Sequence, residues 1–173
     1  MAEFELRFSA AEIAARVDAL ARDIARKLPR DSLVVAVLKG SLVFTADLIR
    51  ALSHHGVDWP MDFISLSSYG EGTQSSGQVR LTRDISEELA GRPVLLIDDI
   101  LESGRTLAFA KKIFTERGAS QVWLCTLLDK PTKRVVDLQA DFVGFQVPDE
   151  FVVGYGLDHA HMHRGLPFIA VKK

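Results

Sequence analysis

The chain carries two kinds of apolar pattern, and they follow one another along its length. Over residues 13–28, apolar side chains recur every three or four positions, as on one face of a helix. Ser9 and Glu12 precede this stretch at the spacing of a capping box, and Pro29 follows it. The run Leu33–Leu38 is instead continuously apolar and rich in β-branched residues, which is typical of a strand buried on both faces.

The same two patterns predict the other elements of the chain. Helices are expected at residues 42–52 and 106–117, and further strands at 62–66, 94–97, 122–128 and 142–145. Strands that alternate with helices favour a parallel sheet with helices on its faces. Neither an internal repeat nor a linker divides the sequence, so one domain over residues 1–173 is expected.

Composition and charge narrow the function. With 47% hydrophobic residues, the 173-residue chain can bury a core without metal or disulfide support. The net charge of -2 and the pI near 6.2 argue against a nucleic-acid partner. The sequence has no basic leader and no apolar run of the ~20 residues that a membrane helix needs, so we expect a cytoplasmic protein without a membrane partner. Cys125 lies in an apolar run and is expected to be a buried structural thiol.

Residues 67–77 are polar and rich in glycine and serine, which predicts a mobile loop. The same composition also fits an inert surface loop. The residues alone leave both interpretations open.

The chemistry concentrates in residues 94–106. Asp98 and Asp99 end an apolar strand, where ligands bind in open parallel sheets. The residues at 103–106 then offer hydroxyls, a glycine, a cation and the free N–H groups of a helix start, which predicts a phosphate cradle. Paired carboxylates beside it suit Mg²⁺ or a ribose diol. The alternative is that the acids only solvate the strand end and cap the next helix.

Residues 97–106 resemble the signature of the type I phosphoribosyltransferases, which is a hydrophobic strand, two acids and a Ser/Thr-Gly loop before a helix. Segments 37–41, 67–70 and 141–145, the last leading to 151–158, are similar to the hypoxanthine-guanine branch of that family. The resemblance runs from about residue 13 to residue 170. Four segments in order are far more specific than one glycine motif.

The resemblance implies a single α/β domain with a mostly parallel twisted sheet flanked by helices. It also implies a small hood from the terminal segments, with a base-binding part at about 146–173, and a mobile active-site loop at about 67–80. The implied activity is purine salvage by Mg²⁺-dependent transfer of phosphoribose from 5-phosphoribosyl-1-pyrophosphate (PRPP) to hypoxanthine or guanine, with xanthine as a further candidate. A homodimer or homotetramer is expected. A non-catalytic, nucleotide-sensing regulator of the same fold is the alternative.

The resemblance also assigns residues to PRPP and its phosphates. These are Lys39, Gly40, Asp98, Asp99, Ser103, Gly104, Arg105, Thr106 and Arg164. A cis peptide is implied between Leu38 and Lys39, and Ser68 and Tyr69 are implied to belong to the loop that closes over the site.

For the purine, the resemblance implies Lys130 as the donor to the 6-oxo group and Phe151 as the stacking ring. Val152 and Asp158 are implied to read the base edge through backbone groups. Asp98, Asp99 and Asp158 are the expected Mg²⁺ ligands. Glu102 takes the place of the family's usual aspartate, the acid that manages the ring proton of the purine, and is the expected catalytic residue.

His159, His161 and His163 alternate, so on an extended segment they would point to one side and could hold a metal. A polar loop flanking Asp158 and Arg164 is the interpretation that we favour.

Overall fold

The computed structural model describes residues 4–69 and 78–173. Its elements, in chain order, are β1 Phe4–Phe8, α1 Ala10–Lys27, β2 Leu33–Leu38, α2 Leu42–His54, β3 Met61–Tyr69, β4 Gln78–Arg83, β5 Pro93–Leu101, α3 Arg105–Glu116, β6 Gln121–Asp129, β7 Phe142–Gln146, β8 Val152–Val153 and β9 Ile169–Lys172. A short 3-10 turn, Pro131–Lys133, follows β6. The helices and buried strands lie where the apolar patterns predict them, except that β5 continues beyond the predicted end at residue 97 and includes Asp98 and Asp99.

The main sheet has six strands in the order β4-β3-β2-β5-β6-β7. All neighbouring pairs are parallel except β3 with β4. The predicted mostly parallel sheet is therefore confirmed. Because β2 and β5 are adjacent and parallel, the segments that leave their carboxyl ends meet at one edge of the sheet.

Alternation along β2 distributes its side chains between two cores. Val34 and Ala36 pack into the core formed with α1 and α2. Val35 and Val37 face the other side, in the core formed with α3. A strand covered by helices on both faces needs apolar residues at every position, which explains its uninterrupted apolar run.

Helix α1 begins as the sequence predicts. The Ser9 N–H donates to Glu12 Oε2 at 2.8 Å, and the Glu12 N–H donates to Ser9 Oγ at 3.3 Å. This reciprocal pair satisfies two of the N–H groups that a helix start leaves without partners. The local signal thus fixes where the first helix starts.

A second sheet forms the small hood. Its three antiparallel strands run in the order β1-β9-β8, so the two ends of the chain pair with each other. The hood from terminal segments, expected from the resemblance, is confirmed. None of the helices in the described ranges is long and apolar enough to cross a membrane.

Strands β3 and β4 extend into the segment predicted as a loop. Ser68 and Tyr69 lie in β3, paired with Val79 and Gln78 of β4. Residues 70–77 lie outside the described residues, so the predicted mobility of the loop remains a prediction.

Candidate active site

Three chain segments meet where β2 and β5 end. The cis peptide expected between Leu38 and Lys39 is present at the end of β2. A Cβ on Gly40 would lie 1.6 Å from Asp99 Oδ2, and a Cβ on Gly156 would lie 2.1 Å from the Gly40 carbonyl oxygen. A side chain at Gly156 would meet the backbone of Gly40, and one at Gly40 would have to displace the Asp99 carboxylate, so the β2 loop packs closely against both neighbouring segments.

Of the two acids, Asp98 is buried and Asp99 is half-buried. Asp98 is 8% exposed, and its Oδ1 accepts the Asp99 N–H at 3.0 Å, while Asp99 Oδ1 accepts the Ile100 N–H at 2.8 Å. Burial raises the pKa of the Asp98 carboxyl well above its usual range, and the neighbouring Asp99 charge adds to the rise. Burial also raises the pKa of Asp99, although hydrogen bonds with Asp98 and with the Ile100 N–H, and then the Arg164 charge, oppose the shift. Such a pair favours a proton, a hydroxyl donor or a cation.

The predicted phosphate cradle lies at the start of α3. Gly104 has φ +83°, a left-handed conformation that favours glycine, and its carbonyl oxygen accepts the Ala108 N–H at 2.9 Å. The Arg105 N–H donates weakly to Ser103 Oγ at 3.3 Å, while Thr106 is half-buried. A cavity of about 250 Å³ opens here and is lined by residues of the 98–107 segment, including both acids. The acids and the helix start therefore face one space.

Glu102 and Lys130 form an ion pair at the edge of that space. Lys130 Nζ donates to Glu102 Oε1 at 2.6 Å. Lys130 is 5% exposed, whereas the Glu102 side chain is 48% exposed. The structure thus joins the residue expected to donate to the 6-oxo group with the residue expected to handle the ring proton.

Arg164 and Asp158 hold each other on the segment after β8. Arg164 Nη2 lies 2.7 Å from Asp158 Oδ1, and Arg164 Nη1 donates to the Gly156 carbonyl at 2.6 Å. Asp158 Oδ2 accepts the His161 N–H at 2.8 Å. Both side chains are half-buried, and their charges partly offset each other.

The predicted base-binding residues of the hood lie on or beside β8. Phe151 is 51% exposed, and its ring meets His159 edge-on, with centroids 5.4 Å apart. Val152 is buried and pairs with Val171 of β9. An exposed ring beside a buried strand offers a flat face to a planar ligand.

The remaining predicted residues fall into two groups. Lys39 and Arg105 are exposed. The side chains of Ser68 and Tyr69 lie outside the described part of the structure, so their role in loop closure remains a prediction.

The alternating histidines do not lie on an extended strand. Ala160, His161 and His163 have positive φ angles, and the segment folds into turns between Asp158 and Arg164. Among the described residues, no group of histidine, cysteine and acidic side chains has the arrangement of a metal site. Cys125 is buried in β6, and burial raises the pKa of its thiol. The polar loop and the structural thiol are confirmed.

Sequence reasoning missed Arg134, which donates to the Glu102 carbonyl oxygen, and Asp129, whose carboxylate accepts a hydrogen bond from Arg134. It also missed Gly156, which packs on Gly40. The one signal available was an acid, Asp129, at the last position of a buried strand.

Comparison with known proteins shows the family to which the chain belongs. The phosphoribosyl transferase domain matches residues 9–160. Hypoxanthine-guanine phosphoribosyltransferase of Bacillus subtilis is 50% identical over 141 residues, which cover 82% of this chain and 77% of the relative.

Two solved structures are similar to this chain over nearly its whole length. A hypoxanthine-guanine phosphoribosyltransferase from Bacillus anthracis is 46% identical, with a TM-score of 0.91 and 99% coverage of both chains. Hypoxanthine phosphoribosyl transferase of Trypanosoma cruzi, from work on how its C-terminal region affects oligomeric state and activity, is 38% identical with a TM-score of 0.91. That match covers 98% of this chain and 91% of the other.

The chain therefore belongs to the phosphoribosyl transferase family. Within that family, the relatives named above are hypoxanthine-guanine and hypoxanthine enzymes. The sequence-based prediction of a purine-salvage phosphoribosyltransferase is confirmed.

Proposed function

We propose that the protein transfers the phosphoribosyl group of PRPP to hypoxanthine or guanine and releases pyrophosphate. The observation that carries this proposal is the Lys130–Glu102 pair, joined at 2.6 Å beside the acids and the phosphate cradle. A 6-oxopurine presents O6 and N7 side by side on one edge. An ammonium group suits the oxygen and a carboxylate suits a proton on the ring nitrogen, so adjacent groups of these two kinds complement that edge.

Selection against adenine follows from the same pair. Adenine carries an amino group where hypoxanthine and guanine carry the 6-oxo group, and it cannot accept a hydrogen bond from Lys130 there. Because Lys130 is 5% exposed, an adenine that displaced the hydrogen bond between Lys130 and Glu102 would offer the ammonium group no acceptor in its place. A site built to pair one polar group rejects the analogue that lacks it by ~10⁴–10⁵-fold in favourable cases.

The PRPP site comprises the two acids and the start of α3. In this proposal Asp98 and Asp99 accept hydrogen bonds from the ribose hydroxyls, and the N–H groups of residues 103–106 hold the 5-phosphate. Lys39 and Arg164 neutralise the departing pyrophosphate, and Phe151 stacks on the base. The loop that carries Ser68 and Tyr69 closes over the reactants and excludes water.

We infer that Mg²⁺ binds with PRPP. Within residues 4–69 and 78–173, neither Asp98 nor Asp99 forms an ion pair with a basic side chain, although burial raises both pKa values. Hard oxygen ligands of this kind fit Mg²⁺, with Asp158 as a further candidate. Bound Mg²⁺ would supply positive charge that stabilises the leaving pyrophosphate. Removing the metal with a chelator should abolish turnover, and added Mg²⁺ should restore it.

We further propose a homodimer or homotetramer in the cytoplasm. The T. cruzi relative supports the first part, because its C-terminal region is linked to oligomeric state and activity. Light scattering during size-exclusion chromatography measures the assembly, and a monomer at working concentration would contradict it. Cell fractionation tests the location.

The test of the main proposal is a panel of bases assayed for PRPP-dependent pyrophosphate release. Hypoxanthine and guanine should be turned over, and adenine should not. Turnover of xanthine as well would show that the enzyme accepts a wider range of 6-oxopurines. PRPP binding without turnover of any base would contradict the proposal and indicate a sensor.

A further inference from the structure

A largely buried ion pair lies next to the main chain that carries Glu102 and Lys130. Arg134 Nη2 donates to Asp129 Oδ1, and the two side chains are 15% and 10% exposed. Asp129 ends β6 and directly precedes Lys130, while Arg134 follows the 3-10 turn. Two charges held this far from water need each other as partners.

The guanidinium group also binds the main chain that carries the catalytic acid. Arg134 Nη1 donates to the Glu102 carbonyl oxygen at 3.0 Å and lies 3.4 Å from the Leu101 carbonyl oxygen. The Lys130 N–H donates to the same Leu101 carbonyl at 2.9 Å. One planar group therefore connects the backbone at Glu102 with the residue next to Lys130.

The phosphate loop has its own anchor to this segment. The Ser103 carbonyl oxygen accepts the N–H groups of Val135 at 3.0 Å and Val136 at 3.3 Å. These bonds involve main-chain atoms alone and do not include the Arg134 guanidinium. Loss of that guanidinium should therefore disturb the neighbouring acid and lysine more than the phosphate cradle.

We propose that Asp129 and Arg134 form a positioning pair that sets the spacing between Lys130 and Glu102 and thereby the rate of purine turnover. This inference rests on the proposed function. Neither side chain is assigned a contact with substrate, and both act through the residues that they hold. The rigid fork of a guanidinium can bridge a carboxylate and a carbonyl, which the single ammonium of lysine does less well. Catalytic groups need placement to about 0.5 Å.

Arg134→Met tests the pair, because methionine keeps an unbranched stem and removes the guanidinium. We expect kcat/KM for hypoxanthine to fall about 100-fold, the loss typical of a misplacement near 1 Å. PRPP affinity measured by calorimetry should stay near that of the unaltered enzyme. Asp129→Asn keeps a side-chain acceptor and should give a smaller loss in the same direction.

Lys133→Met is the matched control. Lys133 precedes Arg134, carries the same charge, and pairs at 2.7 Å with Asp149 on the surface, where the two side chains are 47% and 54% exposed. Its kinetics should match those of the unaltered enzyme.

Wild-type kcat/KM in folded Arg134→Met, or an equal loss of PRPP affinity and purine turnover, would overturn the positioning role. A lower melting temperature with unchanged kinetics would show a structural role only. Failure of the proposed function is seen separately, as absence of turnover in the unaltered enzyme.

Discussion

Lys130 Nζ lies 2.6 Å from Glu102 Oε1, and this ion pair links residues 28 positions apart at the edge of the cavity. Lys130 is almost fully buried, so the half-exposed Glu102 carboxylate is the partner that compensates its charge. A base that enters here must take up hydrogen bonds that the two residues now make to each other. Selection of the base and proton handling are therefore properties of one pair.

Replacement of Asp98 should stabilise the unliganded fold, whereas replacement of the paired acids should weaken PRPP binding. The folded protein raises the pKa of Asp98, so it holds that proton more tightly than the unfolded chain does. The unliganded fold then loses stability as pH rises from about 4, where unfolded aspartate titrates, through the folded pKa. Asp98→Asn should raise the melting temperature at pH 7, by ~2–4 °C for each kcal/mol recovered in a domain of this size.

The gain should vanish near pH 3, where the aspartate is neutral in both states. PRPP with Mg²⁺ should reverse the order, because only the wild type binds it well and binding stabilises the fold. Calorimetry of Asp98→Asn/Asp99→Asn should show PRPP binding weakened ~10–100-fold for each charged hydrogen bond lost. Unchanged PRPP affinity would remove both acids from the site.

Glu102 should be needed for the chemical step and not for PRPP binding. Glu102→Gln keeps the shape but removes the carboxylate that accepts the ring proton, so single-turnover rates should fall ~10²–10⁴-fold. Glu102→Asp restores the usual residue of the family and should stay active. If Glu102 acts only through its negative charge near the N-terminus of α3, its replacement should change the free energy of unfolding by ~0.3–1 kcal/mol and leave the rate unchanged. Wild-type single-turnover speed in the Gln variant would establish that limited role.

Gly40 should tolerate no side chain. A Cβ there would lie 1.6 Å from Asp99 Oδ2, so Gly40→Ala must displace the acid or the loop. We expect kcat/KM for PRPP to fall about 100-fold in a protein that still folds, as judged by circular dichroism. Gly165→Ala is the control, since a Cβ at Gly165 meets nothing within 4 Å. Equal activity of the two variants would contradict the close packing at Gly40.

The parts of the fold that sequence predicts are those with local causes. The capping box at Ser9 and the unbroken apolar run of β2 each specify an element without help from distant residues. The hood could not be found in this way, because β1 pairs with β9 from the opposite end of the chain, with Phe4 opposite Lys172. Its strands are short and carry no local pairing signal. Only the resemblance indicated the hood.

The residues of the candidate site also divide into those that sequence order brings together and those that only tertiary contacts join. Asp98 and Asp99 lie in the last part of β5 and the cradle follows it directly, so sequence order alone brings them together. Arg134 binds the Glu102 carbonyl across 32 positions, and neither residue type nor spacing indicates that contact. Positioning residues are recognised through tertiary contacts, whereas residues at strand ends are recognised from the sequence itself.

The most direct measurement is the discrimination between hypoxanthine and adenine by Lys130→Ala, expressed as the ratio of their kcat/KM values. Lys130 is the buried donor beside Glu102, and its substitution removes the ammonium group, to which the 6-amino group of adenine offers no acceptor. The account predicts that hypoxanthine turnover falls while adenine turnover does not, so the ratio drops at least ~100-fold. A ratio equal to that of the unaltered enzyme would contradict the account and leave Lys130 with a structural role alone.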